Sequence, residues 1–322
     1  MEILAPLIHY TSIALTIVFT SFGVGIGSGW VGVAALTAVN KAPQAHPEIL
    51  KASIIGLALV ETGALLGVVM AMLMLSGVMP SASTQFFYVA IAEYGITLAL
   101  GISGFAVGLA SALPAQQAMN SIARQPLFSS SILNIMILSQ SIIQTPAIFA
   151  FIIGLLIKLQ LGSVESMHDS MRYLASGLCI GIGSIGPIMG LSIFAKTACQ
   201  SIGINRSAYS KILPFTFMSQ AIIETPIIFA LLISLVIISQ PKSTVDIMLF
   251  SAMVFSAALA TGIGTGAPGV SSGKTAAAAC KEIAINPSLY SILSKTSFLA
   301  QGLIDTAPVY ALLISLLILL LH

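Results

Sequence analysis

Read along the chain, apolar residues fall in eight long runs, at about 6–38, 50–77, 85–119, 131–158, 171–201, 210–239, 246–280 and 289–321, separated by short polar stretches. A helix rises 1.5 Å per residue, so about 20 mostly apolar residues cross a bilayer. Each run therefore predicts one membrane-spanning helix, and the expected fold class is an all-α membrane protein with eight spans. The N-terminal run is counted among them. MEILAPLIHYTSIALTIVF has no basic start and no clean cleavage site, and its apolar stretch outlasts that of a signal peptide.

Composition narrows the function classes. Of 322 residues 57% are hydrophobic and 7% charged, against about 25% charged in soluble domains, so a soluble enzyme is excluded. A net charge of +2 is too small for a nucleic-acid footprint. Cys179, Cys199 and Cys280 are far apart in apolar stretches and read as packing residues, not as a disulfide or zinc site. The basic residues are distributed unevenly. Odd-numbered connections carry Lys41, Lys51, Arg124, Lys196, Arg206, Lys211, Lys274, Lys281 and Lys295, whereas the others carry Lys158, Arg172 and Lys242. The positive-inside rule puts the odd connections in the cytoplasm and both termini on the opposite side.

The chain repeats. LALVETGALLG, ILSQSIIQTPAIF, FMSQAIIETPIIF and FLAQGLIDTAPVY occupy one place in spans 2, 4, 6 and 8, centred on Glu61, Gln144, Glu224 and Asp305. A threonine follows each centre: Thr62, Thr145, Thr225 and Thr306. Twenty residues earlier stand Lys41, Arg124, Ile204 and Ile285, where Lys41-Ala-Pro43, Arg124-Gln-Pro126 and Ile285-Asn-Pro287 are versions of one turn. The third copy has Arg206 in place of the proline. Such a period reads as four helical hairpins in series, divided at 1–80, 81–162, 163–242 and 243–322. The odd spans carry small residues at matched offsets: Gly23, Gly25, Gly27 and Gly29; Ala106, Gly108, Ala110 and Ala112; Gly181, Gly183, Gly186 and Gly190; and a run of glycines from Gly262 to Gly273. Small residues let helix backbones approach closely in lipid, which predicts a tightly packed inner layer of odd spans with the even spans outside.

A carboxyl group midway through a membrane span is costly and marks a functional site by default. Glu61, Glu224 and Asp305 are three such groups, with no Lys or Arg in the facing stretches. An unpaired carboxyl in hydrocarbon favours its neutral form, so each could take up a proton from water and release it when a cation approaches. Gln144 has the shape of a carboxylic acid but cannot ionise, and marks copy two as a silent equivalent kept for packing. Gln140, Gln220 and Gln301 lie one turn earlier on the same face, with Leu57 in copy one. The threonines offer hydroxyls. Pro146, Pro226 and Pro308 each free the carbonyl four residues before, as at Ile222.

Other features carry less. Gly269-Val-Ser-Ser-Gly-Lys-Thr275 imitates a phosphate-binding loop, but Pro268 replaces the first glycine and no strand precedes it. Asn205-Arg-Ser207 is a glycosylation sequon on the expected cytoplasmic side. Glu93, Glu165, Asp169 and Asp246 are expected as solvated charges near the non-cytoplasmic ends, and Trp30 and the histidines have no repeat-matched partner.

The glycine-rich first helix, the Arg124-Gln-Pro126 turn and the carboxylate on the second helix resemble the c subunit of F-type ATP synthases. Ala267-Pro-Gly-Val-Ser-Ser-Gly273 is similar to that family's Gly-Pro-Gly-Val-Gly-Gln-Gly stretch, and copy three keeps Gly186-Pro187. The likeness runs through the chain four times, and a fused chain also resembles V-type proteolipids. The resemblance implies a non-catalytic subunit of a membrane rotor ring. Its carboxylates would take ions from one half-channel of the stator a subunit and release them into another. It implies further copies of the chain, the γ and ε stalk subunits and lipids as partners, no bound cofactor, and a bacterial inner membrane. Lys41 and Arg124 would face the stalk; Ile204 and Ile285 depart from that pattern. Sodium-carrying members have a glutamine 33 residues before the carboxylate, where this chain has Ser28, Ser111, Leu191 and Ser272. Only Tyr310 matches their tyrosine five residues beyond it. Fewer oxygen donors favour a proton over sodium. Rival readings are a V-type-like or sodium pump ring, a stand-alone transporter and a structural proteolipid. The parallel copies, each with its own site, argue against the transporter.

Overall fold

The computed structural model describes residues 4–77, 83–241 and 245–320. Among these residues eight helical spans are long and apolar enough to cross a membrane: Leu4–Lys41, Pro43–Leu75, Thr84–Arg124, Pro126–Ser163, Met167–Ile204, Arg206–Ile238, Ile247–Ile285 and Pro287–Leu320, numbered here 1 to 8. They match the eight apolar runs and extend most of them by a turn or more. The expected division points at 80/81 and 242/243 lie outside the described residues, as does Lys242.

Four tight turns join the spans into hairpins. Each is a single turn of 3₁₀ helix, at Pro43–Ala45, Pro126–Phe128, Arg206–Ala208 and Pro287–Leu289. Proline opens three of them, where its fixed φ is already helical and its missing N–H is not needed. The third lacks proline yet makes the same turn. There the Asn205 side chain accepts from the Ser207 nitrogen at 3.0 Å and from the Ser207 hydroxyl at 2.7 Å, and these bonds fix the geometry that proline supplies elsewhere.

The hairpins stand in chain order. Odd spans pack 1 on 3, 3 on 5 and 5 on 7, and even spans form a second layer against them. Glycine permits the closeness of the odd row. A Cβ added to Gly108 would stand 2.6 Å from the carbonyl carbon of Gly23 and from the nitrogen of Val24; one on Gly273 would stand 2.5 Å from the carbonyl carbon of Gly190. Among the described residues, spans 3 and 5 are the most buried, and the flanks of hairpins 1 and 4 expose large apolar side chains such as Phe22, Leu65, Leu299 and Leu313.

Two apolar clusters fill the interior, and their border falls at one depth. Val60, Ile143, Ala147 and Ile223 belong to the cluster on the turn side. Met70, Ala150 and Ile227 belong to the other. The border is the level of the repeated polar residues. Three spans bend or break near proline. Span 4 breaks at Gln144 before Pro146, span 8 at Asp305 before Pro308, and span 7 at Thr265 before Pro268. Pro226 leaves Tyr209–Ile238 continuous.

The span ends away from the four turns differ from expectation. Glu165 and Asp246 are exposed as anticipated, but Glu93 and Asp169 are buried. His9 Nδ1 lies 2.5 Å from Glu93 Oε2, each residue 1% exposed, across spans 1 and 3. Thus one histidine does have a partner on the neighbouring hairpin. Asp169 forms a capping box with Ser166 at the start of span 5 and pairs with Arg172 at 3.1 Å. A charge at a span end escapes the cost of burial either by reaching water or by finding a partner. For Glu93 spacing alone does not reveal the partner, because His9 sits about one repeat away.

Candidate ion-carrier site

Glu61, Gln144, Glu224 and Asp305 each lie eighteen residues beyond the first residue of their span, namely Pro43, Pro126, Arg206 and Pro287. That is about 27 Å along the helix, near the middle of a span roughly 50 Å long. Identical turns and identical counts from the turn bring all four to one depth. Among the described residues, the two ion pairs are His9–Glu93 and Asp169–Arg172, so neither involves these positions.

Their surroundings differ. Gln144 is buried and fully engaged through its nitrogen: Nε2 donates to the Leu59 carbonyl at 2.7 Å and to Ser111 Oγ at 2.8 Å. Leu59 belongs to the preceding hairpin and Ser111 to its own first span. Glu224 is half-buried, with the Thr145 hydroxyl of the preceding hairpin beside it. Asp305 is half-buried at the break in span 8, and its Oδ1 is buried without a partner. Glu61 is exposed. It lies on hairpin 1, at the flank of the described row.

Gln140, Gln220 and Gln301 are all fully buried one turn away. Gln140 Nε2 donates to the Gly56 carbonyl at 3.2 Å and the Ser111 carbonyl at 2.9 Å, tying hairpins 1 and 2. Gln301 donates to Ser297 Oγ at 2.9 Å and accepts from Ser272 at 3.5 Å. The threonines depart from expectation. Thr225 and Thr306 donate to carbonyls of their own helix, Ala221 and Leu303, and Thr62 makes no contact to Glu61 among the described hydrogen bonds. The hydroxyl that lies beside a carboxylate is Thr145, on the hairpin before Glu224. The repeat already contained it, but nothing in one copy says that its hydroxyl points to the following copy. Tyr310 is exposed and is not brought to Asp305. Lys41 and Arg124 are exposed beside their turns.

The arrangement is a row of hairpins, each with one mid-span polar group, and in hairpins 2 and 3 that group faces the hairpin before it. The sequence profile of the ATP synthase C subunit matches residues 11–74, 94–157 and 255–318, more than half the chain. The chain belongs to the ATP synthase C subunit family. Curated relatives agree. The chain is 41% identical over 70 residues to the ATP synthase c subunit from Dehalococcoides mccartyi, covering 22% of this chain and 92% of that protein. It is 32% identical over 69 residues to that of Chloroflexus aurantiacus, covering 21% and 91%. A third, the second-numbered ATP synthase c subunit from Cereibacter sphaeroides, is 40% identical over 68 residues, covering 21% and 82%. About one hairpin of this chain therefore corresponds to nearly a whole relative. Hairpin 3 lies between the second and third profile matches; its place in the repeat rests on the turn, the Gln220 and Glu224 spacing and the packing described above. With its eight spans, this c-subunit family member is an integral membrane protein of repeated hairpins.

Proposed function

We propose that this chain contributes four hairpins to the rotor ring of a rotary ATP synthase, and that Glu61, Glu224 and Asp305 are its proton carriers. The observation that carries the reading is the common depth of the three carboxyl groups, on successive hairpins, without a basic partner. A rotor needs this equivalence, because every carrier must pass the same stator channels at the same height. The hairpins at 1–80, 81–162, 163–242 and 243–322 are its repeat units.

Each carrier alternates between a neutral state, which can turn through lipid, and a charged state, which is stable only against water or a stator cation. Gln144 does not titrate and has its amide donors committed to Leu59 and Ser111, which supports a silent, structural role. Three carriers on four hairpins give fewer ions per turn than four would. Such a ring needs a larger ion-motive force to make ATP and favours ATP-driven pumping. Thr145 is one hydroxyl near Glu224, and the 33-residue position there is Leu191. So sparse a donor set favours a proton over sodium, which binds through several oxygens. The partners of this reading are further copies of the chain, the a subunit, and γ and ε stalk subunits seated on the turns beside Lys41 and Arg124. The membrane is a bacterial plasma membrane with the turns cytoplasmic and the termini outside.

Dicyclohexylcarbodiimide, which reacts with protonated buried carboxyls, tests this. Native membranes are treated with and without sodium and the modified residues mapped by mass spectrometry. Labelling at Glu61, Glu224 and Asp305, slowed at high pH and indifferent to sodium, is expected. Sodium protection would make the ion sodium, and absence of labelling at all three positions would refute the carrier reading.

A further inference from the structure

Several junctions leave buried polar atoms without a protein partner, Gln140 Oε1 and Gln144 Oε1 among them, and Gln220 is the side-chain amide left wholly unbonded. Gln220 is 0% exposed, and both its Nε2 and its Oε1 lack a hydrogen-bond partner. Its counterparts differ, since Gln140 donates to the Gly56 and Ser111 carbonyls and Gln301 is bonded through both side-chain atoms. Ser139, also 0% exposed, has an unpartnered Oγ. The repeat places the two together. Gln140 reaches across to the Gly56 carbonyl, one residue more than the 83-residue period; with the 80-residue period of the next junction the position equivalent to Gly56 is Ser139, and there Gln220 makes no such bond. Packing of Ser129–Ile143 on Tyr209–Ile238, with Thr145 beside Glu224, holds that register. Hairpin 3 also lacks the first-span serine of its neighbours, having Leu191 where they have Ser111 and Ser272.

We propose that Ser139 and Gln220 bind a water molecule between hairpins 2 and 3, one helical turn from Glu224 on the side of the cytoplasmic turns. Leaving a buried amide and a hydroxyl unpaired is costly, and a buried water with polar partners removes that cost. The atoms also identify the ligand class. Nε2 must donate and Oε1 must accept, so the ligand has to accept and donate in one place. Water does both, whereas a bare cation would satisfy Oε1 and meet the Nε2 hydrogens with repulsion. Gln220 shares a helix face with Glu224, four residues on. In this proposal the water sits on the carrier's own helix face, one turn toward the turns, which makes hairpin 3 chemically distinct from hairpin 4, where Gln301 is already bonded within the protein. The inference rests on Glu224 being a carrier.

Two measurements on the assembled ring test it. Electron cryo-microscopy at a resolution showing ordered waters is expected to place density within hydrogen-bond reach of Gln220 and Ser139. An amide bonded instead to backbone carbonyls, as at Gln140, with no density beside it, would overturn the proposal. In the variant Gln220→Met, which keeps the volume and removes the polar atoms, carbodiimide labelling of Glu224 at fixed pH is expected to change by about tenfold, the worth of one hydrogen bond to a charged group. Labelling of Asp305 in the same chain should not move. Equal labelling of Glu224 in variant and parent removes the water alone. Sodium protection of Glu224 that disappears in the variant would replace the water by a cation. No labelling of Glu224 or Asp305 in the parent removes the carrier reading instead. Should the variant fail to assemble, the density in the parent ring decides.

Discussion

Substituting Gly108 by alanine tests whether the close packing of the odd spans holds this chain together. The added Cβ would lie 2.6 Å from two backbone atoms of span 1, the Gly23 carbonyl carbon and the Val24 nitrogen. Non-bonded carbons rest at about 3.5–4.0 Å, so span 1 must retreat by roughly 1 Å, and backbone cannot rotate aside as a side chain can. The retreat also opens the reciprocal contact, since a Cβ on Gly27 would meet the Gly108 carbonyl. Overpacking of this kind costs about 1–3 kcal/mol. Alanine's better helix propensity returns about 1 kcal/mol, which leaves a net loss of up to about 2 kcal/mol. The control is Gly32→Ala: nothing lies within 4 Å of a Cβ there, and Ala115 already fills the matching place in hairpin 2. Heating the purified protein in detergent, with helicity and ring mobility followed together, should show Gly108→Ala melting a few degrees below the parent. Gly32→Ala should melt with the parent or slightly above it. If both variants melt alike, the odd spans are not held by backbone proximity and the reasoning fails.

Gly25 occupies in hairpin 1 the place of Gly108 in hairpin 2, yet nothing in this chain lies within 4 Å of a Cβ there; in a ring it would face hairpin 4 of the next copy. Gly25→Ala should leave the stability of the single chain unchanged but reduce the yield of closed rings on native gels, and rings formed as in the parent would count against closure through that face. Gln144→Leu removes the donors to the Leu59 carbonyl and Ser111 Oγ and should cost about 1–3 kcal/mol while proton pumping by inverted vesicles persists. Loss of pumping in a stable ring would make Gln144 part of the ion path. Breaking the buried pair with His9→Ala should destabilise the protein by about 3–5 kcal/mol, whereas His9→Phe with Glu93→Leu together should recover most of the loss. A double variant no better than the single one would mean that the pair does more than join hairpins 1 and 2.

Much of the architecture follows from sequence because membrane burial removes alternatives. In hydrocarbon a backbone must satisfy itself within a helix or a closed barrel, so eight apolar runs become eight helices with little else possible. Equal spacing from the four turns to Glu61, Gln144, Glu224 and Asp305 fixes their common depth, since rise per residue is constant. The four matched polar positions and the small residues opposite them are likewise written in the repeat, and so is the family. Tertiary structure decided which groups each position meets. Thr145 lies beside Glu224 of the next hairpin, Gln144 spends its amide on Leu59, and Glu93 finds His9, because such partners lie about eighty residues away and depend on how one helix rotates against the next. A rotation of one residue, about 100° on a helix, would point any of them elsewhere without changing the apolar pattern. For the same reason Glu61 reads like its two counterparts in sequence, while the fold leaves it on the open flank of the first hairpin.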